Sequence, residues 1–288
     1  MNFERFRVPP GTAVKLKDYP TDETKPFEDK SEAREKLAAD VEKLAELQSK
    51  LYAQNTYALL IVLQAIDAAG KDGTIKHVMS GVNPAGCQVT SFKVPSEEEL
   101  DHAYLWRYVR ALPRRGNIGI FNRSHYEEVL VVRVHPGLLG REHIHSSKKR
   151  DDLWAKRYRE INDFEYYLEE NNFEVLKFFL HLSKDEQKER FMARLDSPDK
   201  NWKFSESDVK ERDYWDDYQM AFEEMLTNTS TVEAPWYVVP ADRKWFTRVV
   251  VSDIIVAKLE SMNLRYPKLD SSQKEALDRA RKILKNED

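Results

Sequence analysis

Residues 57–64, YALLIVLQ, form an apolar run that never alternates with polar residues, and they lead straight into AIDAAGKDGT, a loop of small residues around one lysine. A strand with one wet face alternates; a short run that does not is a strand covered on both sides, the situation of a strand inside a parallel sheet. Parallel strands need long crossovers, and the remaining sequence supplies them. Further strands are expected at 89–94, 117–121 (NIGIF), 173–182 (FEVLKFFLHL) and 235–240 (PWYVVP). Between them lie helical patterns. One covers 31–54, where Ser31 is the expected cap and Leu37, Val41, Leu44, Leu47 and Leu51 recur at helical spacing. A short helix follows the loop at 74–80, then a turn at 81–86. Residues 96–113 open with Ser96 and Glu99 in capping-box spacing. Helices at 150–170, 183–195 (capped by Ser183) and 242–260 complete the alternation, with a polar helix at 270–288. Strand and helix in turn predict a doubly wound α/β fold, three layers with a central parallel sheet.

The chain of 288 residues is long enough for one such domain. We expect it over 1–262, with an arm at 1–30, an insertion at 196–230 rich in charges and aromatics that acts as a mobile cover, and a separate polar helix over 263–288. A net charge of −4 argues against a nucleic-acid coat protein, although it leaves local basic patches open. The N-terminus lacks an apolar signal core and no 18-residue apolar stretch occurs, so a cytoplasmic protein without a membrane span is expected. The single cysteine, Cys87, cannot form an intrachain disulfide and is expected to pack.

A strand that delivers a glycine-containing loop to a helix N-terminus is an anion-binding device, because unpaired backbone amides converge there and the helix dipole adds positive charge. Phosphate is the usual occupant. The Walker A pattern G-x-x-x-x-G-K-[ST] is met only in part. Gly70 and Lys71 fit, Ala65 stands where the first glycine belongs, Asp72 where the hydroxyl belongs, and Thr74 is two places late.

Four ordered segments make the pattern more specific. DAAGKDGTIKHV (67–78) resembles the phosphate loop of the second family of polyphosphate kinases. FNRSHYEEVLVVRVHP (121–136) resembles that family's Walker B region, DEQKERFMARLDSPDKNWKFS (185–205) its lid, and APWYVVPADRKWFTR (234–248) its C-terminal signature. The likeness covers residues 20–262 or so. It implies a P-loop kinase-like fold with a helical lid, transferring the terminal phosphoryl group of inorganic polyphosphate to ADP or AMP with Mg²⁺, or Mn²⁺ in its place, in a homo-oligomer of two or four copies. The long helix at 31–54 is then either an interface or a solvated buttress.

Carried onto this chain, the resemblance implies that Ala68, Ala69, Gly70, Lys71, Asp72, Gly73 and Thr74 cradle the donor phosphates, with Lys71 on the phosphoryl group in flight. Asp67 holds the metal directly or through water, as suits a hard cation. Asn122 stands where an aspartate is usual, an exchange that in this family marks acceptance of nucleoside monophosphates. Glu128 is expected to restore the missing carboxylate as metal ligand or base, and Arg123 and Arg133 to bind the nucleotide's phosphates with guanidinium forks. Arg190 and Arg194, four apart on one helix face, are expected to aim at one anion while Phe191 and Leu195 turn inward. Lys76, Lys200 and Lys203 extend the basic track, and Arg107, Arg110 and Arg114 at i, i+3, i+7, with Arg115 beside them, either line a channel or form a solvated face. Lys15 and Lys17 on the arm are weaker candidates. His143 and His145 are expected in solvent, His125 and His135 in positioning roles, and Trp202, Trp215 and Trp236 in packing. Two rivals share these features: a kinase using ATP as donor, and a nucleotide or polyphosphate sensor without turnover.

Overall fold

A computed structural model describes residues 2–142, 152–199, 201–203 and 205–287. His143, His145, Lys200 and the side chain of Lys203 therefore lie outside the described part.

In chain order, helix α1 (Lys30–Gln54) leads to β1 (Ala58–Gln64), α2 (Lys71–Val78) and β2 (Cys87–Ser91). Then come α3 (Glu97–Leu100), α4 (Trp106–Arg110), β3 (Ile118–Asn122), a 3₁₀ turn (His125–Val129) and α5 (Val131–Val134). Helix α6 (Leu153–Glu170), β4 (Phe173–His181), α7 (Lys184–Leu195), α8 (Glu206–Lys210), α9 (Trp215–Thr229), β5 (Trp236–Pro240), α10 (Lys244–Ser261) and α11 (Ser271–Lys285) follow, with further short 3₁₀ segments between elements.

The five strands form one sheet in the order β2-β3-β1-β4-β5, every pair parallel. Alternate residues of each central strand face opposite layers, as the pleat requires. Leu59, Ile61 and Leu63 join Leu44, Leu51, Val250 and Ile254 of α1 and α10 on one side. Leu60 and Val62 join Ile161 of α6 and Phe222 of α9 on the other. This double burial is why β1 reads as an unbroken apolar run.

Several local expectations shift. Asp29, not Ser31, caps α1, its carboxylate accepting the amides of Ser31 and Glu32. The capping box at Ser96 and Glu99 forms, but the helix it opens ends at Leu100 and a second short helix ends at Arg110, before Pro113. Arg114 thus shares no helix face with Arg107 and Arg110. Arg107 donates to the Lys93 carbonyl at 2.9 Å, Arg110 stacks on Trp106, and Arg115 donates to Asn171 O at 3.0 Å, so the group lines no common channel. Phe191 is buried as expected, whereas Leu195 is 42% exposed. Helix α9, assigned by sequence to the mobile cover, buries Tyr218, Ala221, Phe222, Met225 and Leu226 in the core. Among the described residues of the insertion, Asp208 of α8 borders the cleft. No helix among the described residues is long and apolar enough to cross a membrane.

From β1 the chain crosses to β2 on one side and later reaches β4 on the other, with β3 inserted beside β1. The crevice at such a switch point, beyond the C-terminal strand ends, is where open α/β sheets bind ligands. Register matters here: Leu63 pairs with Asn122, which sets the two outgoing loops face to face. Pro113 holds β3 from beneath, since a methyl group at Gly119 would sit 2.7 to 3.0 Å from three of its ring carbons. Gly119→Ala should therefore cost about 1–3 kcal/mol through overpacking, read as a lowered urea midpoint with an unchanged slope.

Candidate active site

The loop after β1 turns through two left-handed residues, Ala68 at φ 66° and Gly70 at φ 102°. Gly70 is the N-cap of α2, and the first intrahelical bond is Thr74 N to Gly70 O at 2.9 Å. The amides of Lys71 and Gly73 lie in the first turn, before that bond, where a helix offers no acceptor of its own. The loop's carbonyls are held from behind. Arg190 of α7 donates to the carbonyls of Ala68 (3.0 Å), Ala69 (2.8 Å), Ala241 (2.6 Å) and Asp242 (3.2 Å), and its Nε to Glu186 at 2.8 Å. Gln187 adds a bond to Asp67 O at 3.0 Å. Arg190 and the loop residues 67–74 border the same cleft, so the loop is held at its carbonyls where it lines the cavity.

Lys71 is buried and donates to Ala65 O at 3.0 Å, folded back across its own loop. Burial pushes its ammonium down to about 8, and the nearby Arg123 adds to the effect against the pull of Asp67, Glu127 and Asp72. Across the crevice Asn122 donates to Asp72 Oδ1 at 2.7 Å and to Ser91 Oγ at 3.3 Å. Arg123, at φ 64°, forms an ion pair with Asp67 and another with Glu127 at 3.2 Å.

Two cavities meet here. One, of about 920 Å³, has residues 67–74 as its floor and is flanked by Lys93, Arg194, Lys244 and Arg248. The other, also about 920 Å³, has mostly apolar walls including Leu100, Tyr104 and Val132, with the carboxylates of Glu127, Glu128 and Glu142 at one side. Phe92, Lys93 and Arg123 border both. The first suits a polyanion. The second suits a flat ring system whose phosphates reach back to Arg123.

The sequence-derived residues do not all gather. Asp67, residues 68–74, Asn122, Arg123 and Arg194 border the cleft. Arg194 lies 3.7 Å from Asp208 of α8. Arg190 borders it too, but it faces carbonyls, not an open anion site. Lys76 is exposed on α2 and does not border it. Arg133 is directed away, bonded to Tyr158 at 2.9 Å and Glu224 at 2.6 Å. Glu128 is the largest displacement. The 3₁₀ turn rotates about 120° per residue, so neighbours point apart. Glu128 enters the apolar cavity, where Tyr108 donates to it at 3.3 Å and Arg157 lies 3.5 Å away. Burial, reinforced by Glu142 and opposed by Arg157, pushes its carboxyl up to about 7. Glu127 is the carboxylate beside Arg123 and Asp67.

No group of three or more His, Cys, Asp or Glu among the described residues could hold a metal unaided. Asp67 and Glu128 are not brought together; Asp67 and Glu127, both paired with Arg123, are. Their hard oxygens fit Mg²⁺, which commonly takes one or two carboxylates and completes its shell with water and substrate phosphate. Sequence reasoning missed Glu127, Lys93, Lys244 and Arg248. Arg123 and Glu127 do stand four apart, and Lys244 and Arg248 four apart at the opening of α10, inside the segment singled out by resemblance; those spacings were the available signal.

Comparison with known proteins agrees with this geometry. The family model described as Polyphosphate kinase 2 (PPK2) matches residues 27–267. The chain is 50% identical over 98% of its length to the ADP-polyphosphate phosphotransferase of Rhodopseudomonas palustris, covering 98% of that protein. It is 46% identical over 93% of its length to the AMP/ADP-polyphosphate phosphotransferase of Meiothermus ruber, covering 97% of it. The crystal structure of Polyphosphate Kinase 2 from Arthrobacter aurescens TC1 superposes with a TM-score of 0.86 at 40% identity, covering 96% of each chain. With a family match over most of its length and the phosphate loop, switch-point crevice and paired cavities in place, the chain belongs to the polyphosphate kinase 2 family.

Proposed function

We propose that this protein transfers the terminal phosphoryl group of inorganic polyphosphate to ADP and to AMP, in a Mg²⁺-dependent reaction that Mn²⁺ also supports and that is reversible in principle. The observation that carries this assignment is the junction itself: a basic cavity over an amide-lined loop and an apolar cavity, sharing Arg123 as their border. Family membership and the acceptors named for the relatives support it. A cytoplasmic enzyme that works as a dimer or tetramer belongs to the same proposal.

Polyphosphate lies in the basic cavity with its end on the amides of residues 71–73, and the nucleotide lies in the other with its phosphates on Arg123. An oxygen of the acceptor's terminal phosphate attacks the end phosphorus in line. A new P–O bond forms, the bond to the bridging oxygen breaks, and the shortened chain leaves with that electron pair. The protein's task is positioning and charge neutralisation. Lys71 exchanges the Ala65 carbonyl for the oxygens of the moving group. Asp67 and Glu127 would hold the metal, which would supply positive charge to offset that of the phosphates. Arg194 and α8 close over the cleft and exclude water as a competing acceptor. Asn122, being neutral, places no extra repulsion near an acceptor with one phosphate.

AMP and polyphosphate supplied without ATP should yield ADP and ATP; nucleotide formation only when ATP is present would assign the protein to the ATP-dependent kinases instead. Lys71→Ala should lower kcat by about 10²–10³-fold, as loss of one transition-state donor does, with the circular dichroism spectrum unchanged; a purely sensing protein would have no rate to lose.

Because the free enzyme must carry the Lys71 cation to take up the donor, kcat/KM for polyphosphate should fall as pH rises through about 8. Bound phosphate favours the cation, so the corresponding limb in kcat should lie at higher pH. A pH–rate series from 6.5 to about 9.5 would show both limbs.

Glu127→Gln should raise the Mg²⁺ concentration needed for half-maximal velocity by about 10-fold or more, whereas Glu128→Gln should leave it within about twofold. A reversed order would return the metal to Glu128.

A further inference from the structure

We propose that the buried ion pair of Lys177 and Glu165 is a positioning element for the transfer site, fixing the turn that carries Arg123 and Glu127. The inference rests on the phosphotransfer function proposed above. Neither residue touches either cavity. Lys177 takes an inward position of β4 between Val175 and Phe179, facing the layer of α6 and α9, and is fully buried, as is Glu165 of α6. Its ammonium donates to Glu165 Oε2 at 2.5 Å, Tyr126 Oη at 2.9 Å and Thr229 O at 2.6 Å. Tyr126 donates to Glu165 Oε1 at 2.7 Å, and His125 Nε2 lies 3.2 Å from the same oxygen. One turn is thus bound at two consecutive residues to a charge pair that joins a strand and a helix.

The turn needs such a hold. It is a five-residue 3₁₀ segment entered through Arg123 in the left-handed region, a conformation that its own backbone bonds support weakly. Arg123 lies two residues before His125 and Glu127 one residue after Tyr126, so small rotations here displace both groups at the border between the cavities. Stability alone does not account for the pair, since replacing a buried ion pair with apolar residues of similar volume is often neutral or stabilising. Apolar packing lacks direction. The ion pair adds hydrogen-bond vectors that fix where Tyr126 and His125 point.

The test compares Glu165→Leu/Lys177→Met with the wild-type enzyme by amide hydrogen exchange, melting temperature and steady-state kinetics. The melting temperature should stay close to wild type while exchange at residues 124–130 quickens by about tenfold or more. With ADP as acceptor, kcat should fall by about tenfold, the scale of a sub-ångström misplacement, and KM for polyphosphate should hold, because the donor loop is anchored separately by Arg190. If the Leu/Met double variant does not fold, Tyr126→Phe keeps the ion pair and the His125 contact, removes the Tyr126 links, and should quicken exchange at 124–130 in the same direction.

Unchanged exchange at 124–130 in the folded double variant or in Tyr126→Phe would overturn the proposal. A wild-type enzyme inert toward polyphosphate would overturn the functional assignment alone, since exchange still decides what the ion pair does.

Discussion

One guanidinium organises the cleft. The carbonyls of Ala68, Ala69, Ala241 and Asp242 converge on Arg190 from segments far apart in sequence. Four oxygens pointing into one buried space would repel each other and be left without donors; a planar cation with five donors satisfies them together. This fixes which way the loop faces. It also fastens α7 and the end of β5 to the same point, so the outer helix and the floor of the cleft keep one geometry.

The rest of the site holds its charges in mutual check. Lys71 rests on Ala65 O, Arg123 lies between Asp67 and Glu127, and Arg194 is near Asp208. Each cation has a partner that an incoming phosphate can replace, which frees carboxylates for a metal, so the site avoids unpaired buried charge before substrate arrives. Register makes this possible. Because Leu63 pairs with Asn122, the loop bearing Asp67 and the turn bearing Arg123 leave the sheet at the same level.

Four of the five strands were legible to within a residue or two, since their apolar runs are dictated by burial on both faces. The fourth and fifth, expected at 173–182 and 235–240, are Phe173–His181 and Trp236–Pro240. Strand β2, at one edge, was read at 89–94 and lies at Cys87–Ser91; unlike the buried β5 at the other edge, it is half exposed and carries no unbroken apolar signature. Residues 96–113 were read as one helix from the capping box at Ser96 and Glu99, but a capping box fixes only a start, and the segment forms two short helices. At the site, the phosphate loop was legible because glycine, lysine and small residues crowd one short stretch.

The sequence by itself determined the layered α/β architecture, the phosphate loop at the end of β1 and the family likeness, because periodicity and local turn chemistry are properties of neighbouring residues. Only the tertiary structure decided that Glu127 faces the junction while Glu128 turns to the apolar cavity, that Arg133 leaves the site, and that Arg190 braces the loop. Those outcomes depend on the phase of a short turn and on contacts such as Arg190 with Ala68, 122 positions apart, which no local pattern encodes.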